Sequence, residues 1–385
     1  MQSDIKTSFN KLKQYIEKEQ FKGYDPYDTL LSWVPFHWLG KWGPVLAIQF
    51  QKRNPINIRP LLGIPKDKNP KAIGLLLHAY SMLWLKTHDP QYKKQAGELF
   101  HWLKENHTPG YSGYCWGYNF PWASPVKYLK SYTPSAVVTG FVVRGLWEYY
   151  KINKTGEVQD VITGAAQFIM NDLPHTHFED GLCISYTPVM KDLCFNASLL
   201  GAEVLARAGV LLDNEEYKNT AKNAVNWVIN RQKEDGRWNY SIDPDSGNER
   251  KQLDFHQGYV LESIHEIKTI LDITDEHWDN AIHKGLGFYR KEQFFDNGRS
   301  LWRLPKVWPV DIHNQAQGII TFHKLTQYPE TYPEFAETIL NYTIEHMQHN
   351  NKGYFYYKQH KNYTHKIPYM RWSQAWMFLA FSYIK

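Results

Sequence analysis

Residues 254–268 read DFHQGYVLESIHEIK, and residues 311–325 repeat the form as DIHNQAQGIITFHKL. Both open on Asp-x-His and continue as a helix that is apolar around most of its circumference. Four further segments share the pattern: KAIGLLLHAYSMLWLK from Lys71, PSAVVTGFVVRGLWEYY from Pro134, CFNASLLGAEVLARAG from Cys194 and RWSQAWMFLAFSYI from Arg371. The six starting positions are 63, 60, 60, 57 and 60 residues apart. Such even spacing marks a repeat architecture. A helix apolar all round is buried on both sides, and the small residues Gly74, Gly140, Gly201 and Gly258 suit close packing.

Five of these segments are followed by a second helix with one apolar stripe and a charged face, over about 91–104, 156–170, 215–232, 276–291 and 332–348. Tyr217, Ala221, Ala224 and Val228 carry the stripe of one of them. The sixth partner is absent at the C-terminus, and the N-terminal helix over about 4–19 can supply it. Most inner segments are also preceded by a Gly turn and aromatics, as in Gly113-Tyr-Cys-Trp116, Gly236-Arg-Trp238 and Gly353-Tyr-Phe-Tyr-Tyr357. These loops suit short extended stubs. The reading is an all-α chain, one domain over residues 1–385, closed as an (α/α)6 barrel of six inner and six outer helices. An open helical solenoid is the alternative.

Composition narrows the function. Of 385 residues, 15 are Trp, 26 Tyr and 19 Phe, which excludes a disordered chain. A net charge of +5 without a dense basic run argues against nucleic acid and fits an anionic substrate. Three cysteines, Cys115, Cys183 and Cys194, form no CxxC pair, so neither a disulfide framework nor a cysteine-only zinc site is expected. The polar N-terminus does not read as a signal peptide, and no apolar run reaches the length of a bilayer span. A cytoplasmic protein is expected. Phosphate-loop, dinucleotide, HExxH and GxSxG motifs are absent, and no cofactor or metal is expected.

In such a barrel the inner-helix N-termini face one pit. The repeat register assigns to it Asn196, Asp254, His256, Asp311, His313, Gln315, Arg371 and Trp372, and the loops add Trp116, Tyr118, Asn119 and Tyr240. Asp25, from the early string GYDPYD, and Tyr259 complete the set. Aromatic faces and planar polar groups suit sugars. Asp254, Asp311, His256 and His313 are the candidates for acid/base chemistry, although Asp is also a preferred helix N-cap. The remaining residues are candidates for substrate binding. Paired carboxylates suit glycoside hydrolysis. A Tyr or His could instead remove the C5 proton of a uronic acid while Arg371 neutralises its carboxylate, giving epimerisation or elimination. A glycan-binding protein without catalysis is the third reading. A metal site would require the cysteines and histidines to converge.

Six strings together resemble a known family: GYDPYD (23–28), RNPINIRPLLGIPKDKNPKA (53–72), YCWGYNFPW (114–122), DFHQGY (254–259), PVDIHNQAQ (309–317) and PYMRWSQAW (368–376). They look like the VpsJ-like bacterial polysaccharide-biosynthesis proteins, and the resemblance covers nearly the whole chain. It implies a toroid related to glycan hydrolases, lyases and epimerases, a polysaccharide or oligosaccharide substrate, and a possible place in polysaccharide-synthesis machinery. It carries no settled reaction and assigns no catalytic residue.

Overall fold

The computed structural model describes residues 2–125, 128–328 and 333–384. Its described residues form thirteen α-helices and ten short strands. The helices are α1 (Gln2–Lys18), α2 (Trp42–Arg53), α3 (Pro70–Thr87), α4 (Pro90–Glu105), α5 (Ala136–Ile152), α6 (Gly156–Asn171), α7 (Phe195–Leu212), α8 (Glu215–Ile229), α9 (His256–Ile270), α10 (Glu276–Gln293), α11 (Ile312–Lys324), α12 (Pro333–Met347) and α13 (Ala375–Ile384). The outer helix expected from 332 starts at the edge of the described residues.

The inner ring is α3, α5, α7, α9, α11 and α13, each packed on the next, with α13 returning to α3. The barrel is therefore closed. Lys86, near the end of α3, donates to the carbonyls of Ser382 and Tyr383 and caps the end of α13. Four outer helices begin on a side-chain cap that accepts from the first turn: Asp89, Thr155, Asn214 and Asp275. The apolar inner helix α7 is long enough to cross a membrane, but most of it is buried in the barrel.

Helix α1 takes the sixth outer position. Phe9 is fully buried and stacks on Phe378 at 5.4 Å. Ser8 Oγ donates to Gln348 Oε1 at 2.6 Å, and Gln348 Nε2 donates back to the Ser8 carbonyl. Gly353 sits at φ 75°, and a Cβ there would lie 2.5 Å from the backbone of Lys11. Only glycine fits both that backbone and that contact.

The Gly-aromatic loops are pinned by a recurring device. Thr139, Ser198, Gln257, Gln315 and Gln374 occupy matching positions on successive inner helices. Each accepts, through its side chain, from a backbone N–H of the preceding loop: Trp116, Ile184, Trp238, Ser300 and Phe355. Strands then tie neighbouring units together at that end. β5 (Leu193–Cys194), β6 (Ser241–Ile242) and β7 (Glu249–Arg250) form one antiparallel ladder. β8 (Val310–Asp311), β9 (Lys358–Gln359) and β10 (Thr364–His365) form another.

Inside the barrel, roughly two to three turns below the inner-helix N-termini, lies a charged plug. Arg144 bonds Glu203 and Glu262, Arg207 bonds Glu203 and Glu266, and Lys324 pairs with Glu266. Three cations against three carboxylates leave it neutral. Successive members again lie 59 residues apart.

One region departs from the repeat. Between α1 and α3 the chain forms helix α2 and short 3-10 turns at Asp28–Leu31, Phe36–Leu39 and Pro60–Leu62. The sixth inner helix also opens differently, on a π-helical turn over Met370–Gln374.

Candidate functional site

The two Asp-x-His motifs open α9 and α11, yet their side chains are arranged differently. Asp254 Oδ1 accepts from His256 Nδ1 at 2.5 Å. Its Oδ2 accepts from Gln252 Nε2 and from Arg303 Nε, both at 3.0 Å. Burial works against this carboxylate, but His256 and Arg303 outweigh it and hold Asp254 below the usual carboxylate range. An ionised carboxylate only accepts, so Nδ1 of His256 carries the hydrogen and Nε2 is the other ring nitrogen. The His256 side chain retains 17% exposure and packs against Tyr240 at 4.8 Å.

Asp311 is the N-cap of α11, accepting from the His313 N–H at 3.1 Å. The same oxygen accepts from Trp372 Nε1 at 2.8 Å. Its second oxygen pairs with Lys358 Nζ at 3.2 Å. Asp311 and Lys358 are directly opposed across β8 and β9, so the ladder brings the two side chains together. Burial lowers the Lys358 ammonium, and Asp311 partly restores it.

His313 is almost fully enclosed. Its ring stacks on Phe255 at 4.0 Å and meets Trp376 and Trp372 at 4.5 and 4.8 Å. Nε2 lies 2.5 Å from the Tyr259 hydroxyl, and Nδ1 has no hydrogen-bond partner among the described residues. Burial, reinforced by Lys71 and Arg371, lowers its pKa well below the normal histidine range, so the ring is neutral. Burial likewise drives the Tyr259 hydroxyl upward.

Arg371 forms a two-pronged bond to Asp25, through Nε at 2.5 Å and a terminal nitrogen at 2.8 Å. Its guanidinium lies 4.8 Å from the Tyr118 ring and 5.2 Å from Trp372. Residues 346 apart are thus joined across the seam of the ring. Asn119 shares a small pocket with Asp25 and Arg371.

Asp25, Tyr118, Tyr240, Asp254, His256, Tyr259, Asp311, His313, Arg371 and Trp372 therefore gather at the inner-helix N-termini through the contacts above. Others have different surroundings. Trp116 is fully buried, and its Nε1 donates to the Leu103 carbonyl. Gln315 is the loop clamp described above, and its amide also donates to Thr343 Oγ1 at 2.9 Å. Asn196 accepts from Cys194 Sγ at 3.2 Å. The three cysteines are free and buried, and no group of three or more His, Cys, Asp or Glu side chains is poised to hold a metal among the described residues.

Several pit residues lie outside the sequence-based list. Lys52, from α2, donates to the Tyr27 hydroxyl, and burial, then Arg303, lowers it to about 8. Arg303 and Lys358 each follow a Gly-aromatic loop by the same five-residue offset from its glycine, Gly298 and Gly353. Lys71 opens α3 in the register of Asp254 and Arg371, so the repeat itself could have found it. Its ammonium lies 4.0 Å from the Phe141 ring centroid, and burial lowers it well below the usual lysine range. No carboxylate among the described residues pairs with it. Among the described residues, Lys52, Arg59, Lys71, Arg303, Lys358 and Arg371 lie at this end of the barrel with Asp25, Asp28, Asp254 and Asp311. The positive ends of the inner helices add to that excess.

No family model matches this chain, and no curated protein is similar to it in sequence. Solved structures do match in shape. A cellobiose 2-epimerase from Bacillus thermoamylovorans covers 100% of both chains with a TM-score of 0.66 at 14% identity. An unsaturated glucuronyl hydrolase specific for heparin covers 99% of this chain and 95% of its own, with a TM-score of 0.63 at 13% identity. A GH76 α-mannanase from Bacteroides thetaiotaomicron covers 82% and 86%, with a TM-score of 0.61 at 13% identity. The fold is that of the (α/α)6 toroids to which these proteins belong.

Proposed function

We propose that this chain is a carbohydrate-active enzyme, similar to the VpsJ-like polysaccharide-biosynthesis proteins, that moves a proton on an acidic glycan held in the pit. The observation that carries this reading is the Asp254–His256 pair. A histidine with its Nδ1 hydrogen bonded to a buried carboxylate keeps a basic Nε2 and gains a partner for the charge it acquires on protonation. In the proposed step Nε2 takes the C5 proton of a uronic acid, and the electron pair moves into the sugar carboxylate. Return of a proton on the opposite face inverts C5. Alternatively that pair forms a C4–C5 double bond while the C4 substituent departs with its own C4–O bonding pair. The excess of basic side chains over carboxylates supports an anionic substrate, and Tyr240 and Trp372 offer ring faces to it. Lys52, lowered to about 8 by burial, is a second proton-transfer group near neutral pH.

Glycoside hydrolysis is the less well supported reading. It needs a carboxyl group held protonated beside a carboxylate. Asp254 is held ionised, and Asp311 is occupied by the helix cap, Trp372 and Lys358. The toroid enzymes of similar shape include both an epimerase and hydrolases, so the site chemistry must separate the two.

The test is incubation with uronic-acid polysaccharides in deuterated water. The native protein is expected to place deuterium at C5 or to generate unsaturated uronate, and His256→Gln to do neither. New saturated reducing ends without C5 exchange would overturn the proposal in favour of hydrolysis. Binding with no chemical change would leave a glycan-binding protein.

A further inference from the structure

We propose that the insertion between α1 and α3 is a docking platform for an anionic membrane surface. Among the described residues, eight of the seventeen large exposed apolar side chains fall between residues 33 and 61. On α2 the division between faces is sharp. Val45, Ile48 and Gln51 are buried, and Val45 and Ile48 form a small core with Ala123. Trp42, Leu46 and Phe50, spaced i, i+4, i+8, point outward at 49%, 64% and 65% exposure. Trp33, Trp38 and Leu61 flank them at 72%, 80% and 77%. Trp33 Nε1 donates to the Leu61 carbonyl at 3.2 Å, which holds those two side chains together. A concentration of exposed apolar side chains in one short segment marks a candidate interaction surface.

Charge selects the occupant. No Asp or Glu occurs between Asp28 and Asp67, whereas Lys41, Lys52, Arg53, Arg59 and Lys66 do. Arg59 is held by Asp28, Lys66 pairs with Glu19, and Lys52 turns toward Tyr27. Lys41 and Arg53 remain exposed with no carboxylate partner among the described residues. Two copies of this face brought together would oppose cation to cation. An anionic bilayer complements it, and tryptophans with Lys and Arg beside an apolar stripe are the composition of helices that lie in a membrane interface. Because the inner side of α2 carries Lys52 to the pit, docking would hold the pit mouth close to the bilayer.

The test is co-sedimentation of the full chain with vesicles of phosphatidylcholine, alone or mixed with phosphatidylglycerol. Binding is expected with the mixed vesicles and weakened by salt. Lys41→Glu with Arg53→Glu should lower that partitioning about tenfold or more. Trp33→Ser, Trp38→Ser and Trp42→Ser together should abolish it while leaving the thermal midpoint unchanged, since these rings are exposed. Quenching of the native protein's tryptophan fluorescence by brominated lipid checks the same contact without any substitution. Absence of binding and quenching would overturn the proposal, as would equal binding to both vesicle types. Concentration-dependent dimers that the tryptophan variant dissolves would assign the face to a second copy instead.

Discussion

At the scale of single residues, the two Asp-x-His motifs are alike in sequence and different in use. Asp254 orients an open histidine, whereas Asp311 caps a helix over a closed one. Asp254→Asn should therefore reduce turnover by about 10²–10⁴-fold with little change in unfolding midpoint. Steady-state rates on a responsive glycan check this, and an undiminished rate would remove Asp254 from the mechanism. Gln315 gives the opposite expectation. Its amide satisfies the Ser300 N–H and the Gly298 carbonyl. Gln315→Ala should cost about 1–3 kcal/mol in urea unfolding, because a buried donor and acceptor lose their partners. KM should not move; a raised KM with unchanged stability would show that Gln315 contacts substrate. The residue list was largely legible because the repeat register points to helix N-termini. Trp116 marks the limit of that reading. A tryptophan after a glycine turn can face the pit or pack beneath the outer helix, and only the Leu103 carbonyl that receives its Nε1 hydrogen decides which.

At the scale of elements, the N-terminal helix is the clearest case of local pattern and distant packing agreeing. Its stripe of Phe9, Leu12 and Ile16 is fully buried, although the partners of Phe9 lie more than 360 residues away. Phe9→Ala should destabilise the fold by about 3–5 kcal/mol through the cavity left against Phe378 and Phe381. Equilibrium denaturation measures this, and a loss below about 1 kcal/mol would mean the helix is not an integral outer member. The insertion at residues 28–62 was not legible in the same way. It lacks the sixty-residue register, so the repeat carries no signal for α2 or, with it, for Lys52.

At the scale of the whole molecule, the charged plug and the buried histidines govern stability. Arg144→Leu would leave Glu203 and Glu262 short of a partner in the barrel interior, at a cost of about 3–5 kcal/mol. Burial, with Lys324 nearby, holds His265 at about 4, and burial with Lys358 holds His365 at about 3. In the unfolded chain each binds its proton near 6.5. Between those values the unfolded state carries more protons than the fold, so stability is complete above about pH 6.5 and falls as pH drops toward 4. Urea midpoints at about pH 7.5 and about pH 4.5 should differ in that sense, and His265→Gln with His365→Gln should narrow the gap. A midpoint that rises on acidification would contradict the neutral, buried state of these rings.

The sequence by itself determined the six helix pairs, and the packing of α13 on α3 decided closure over an open solenoid. Apolar helices every sixty residues, amphipathic partners between them and an unpaired terminal helix allow closure as six pairs, because each inner helix has two faces to bury. It also placed the candidate residues at one end, since the loops and the Asp-x-His motifs lie at the same helix termini. Only the tertiary structure decided what each polar side chain does there. A carboxylate's role depends on which donors reach it from segments 49 or 61 residues away, as Arg303 reaches Asp254 and Trp372 reaches Asp311. Those distances are fixed by the closed barrel, and no local pattern encodes them.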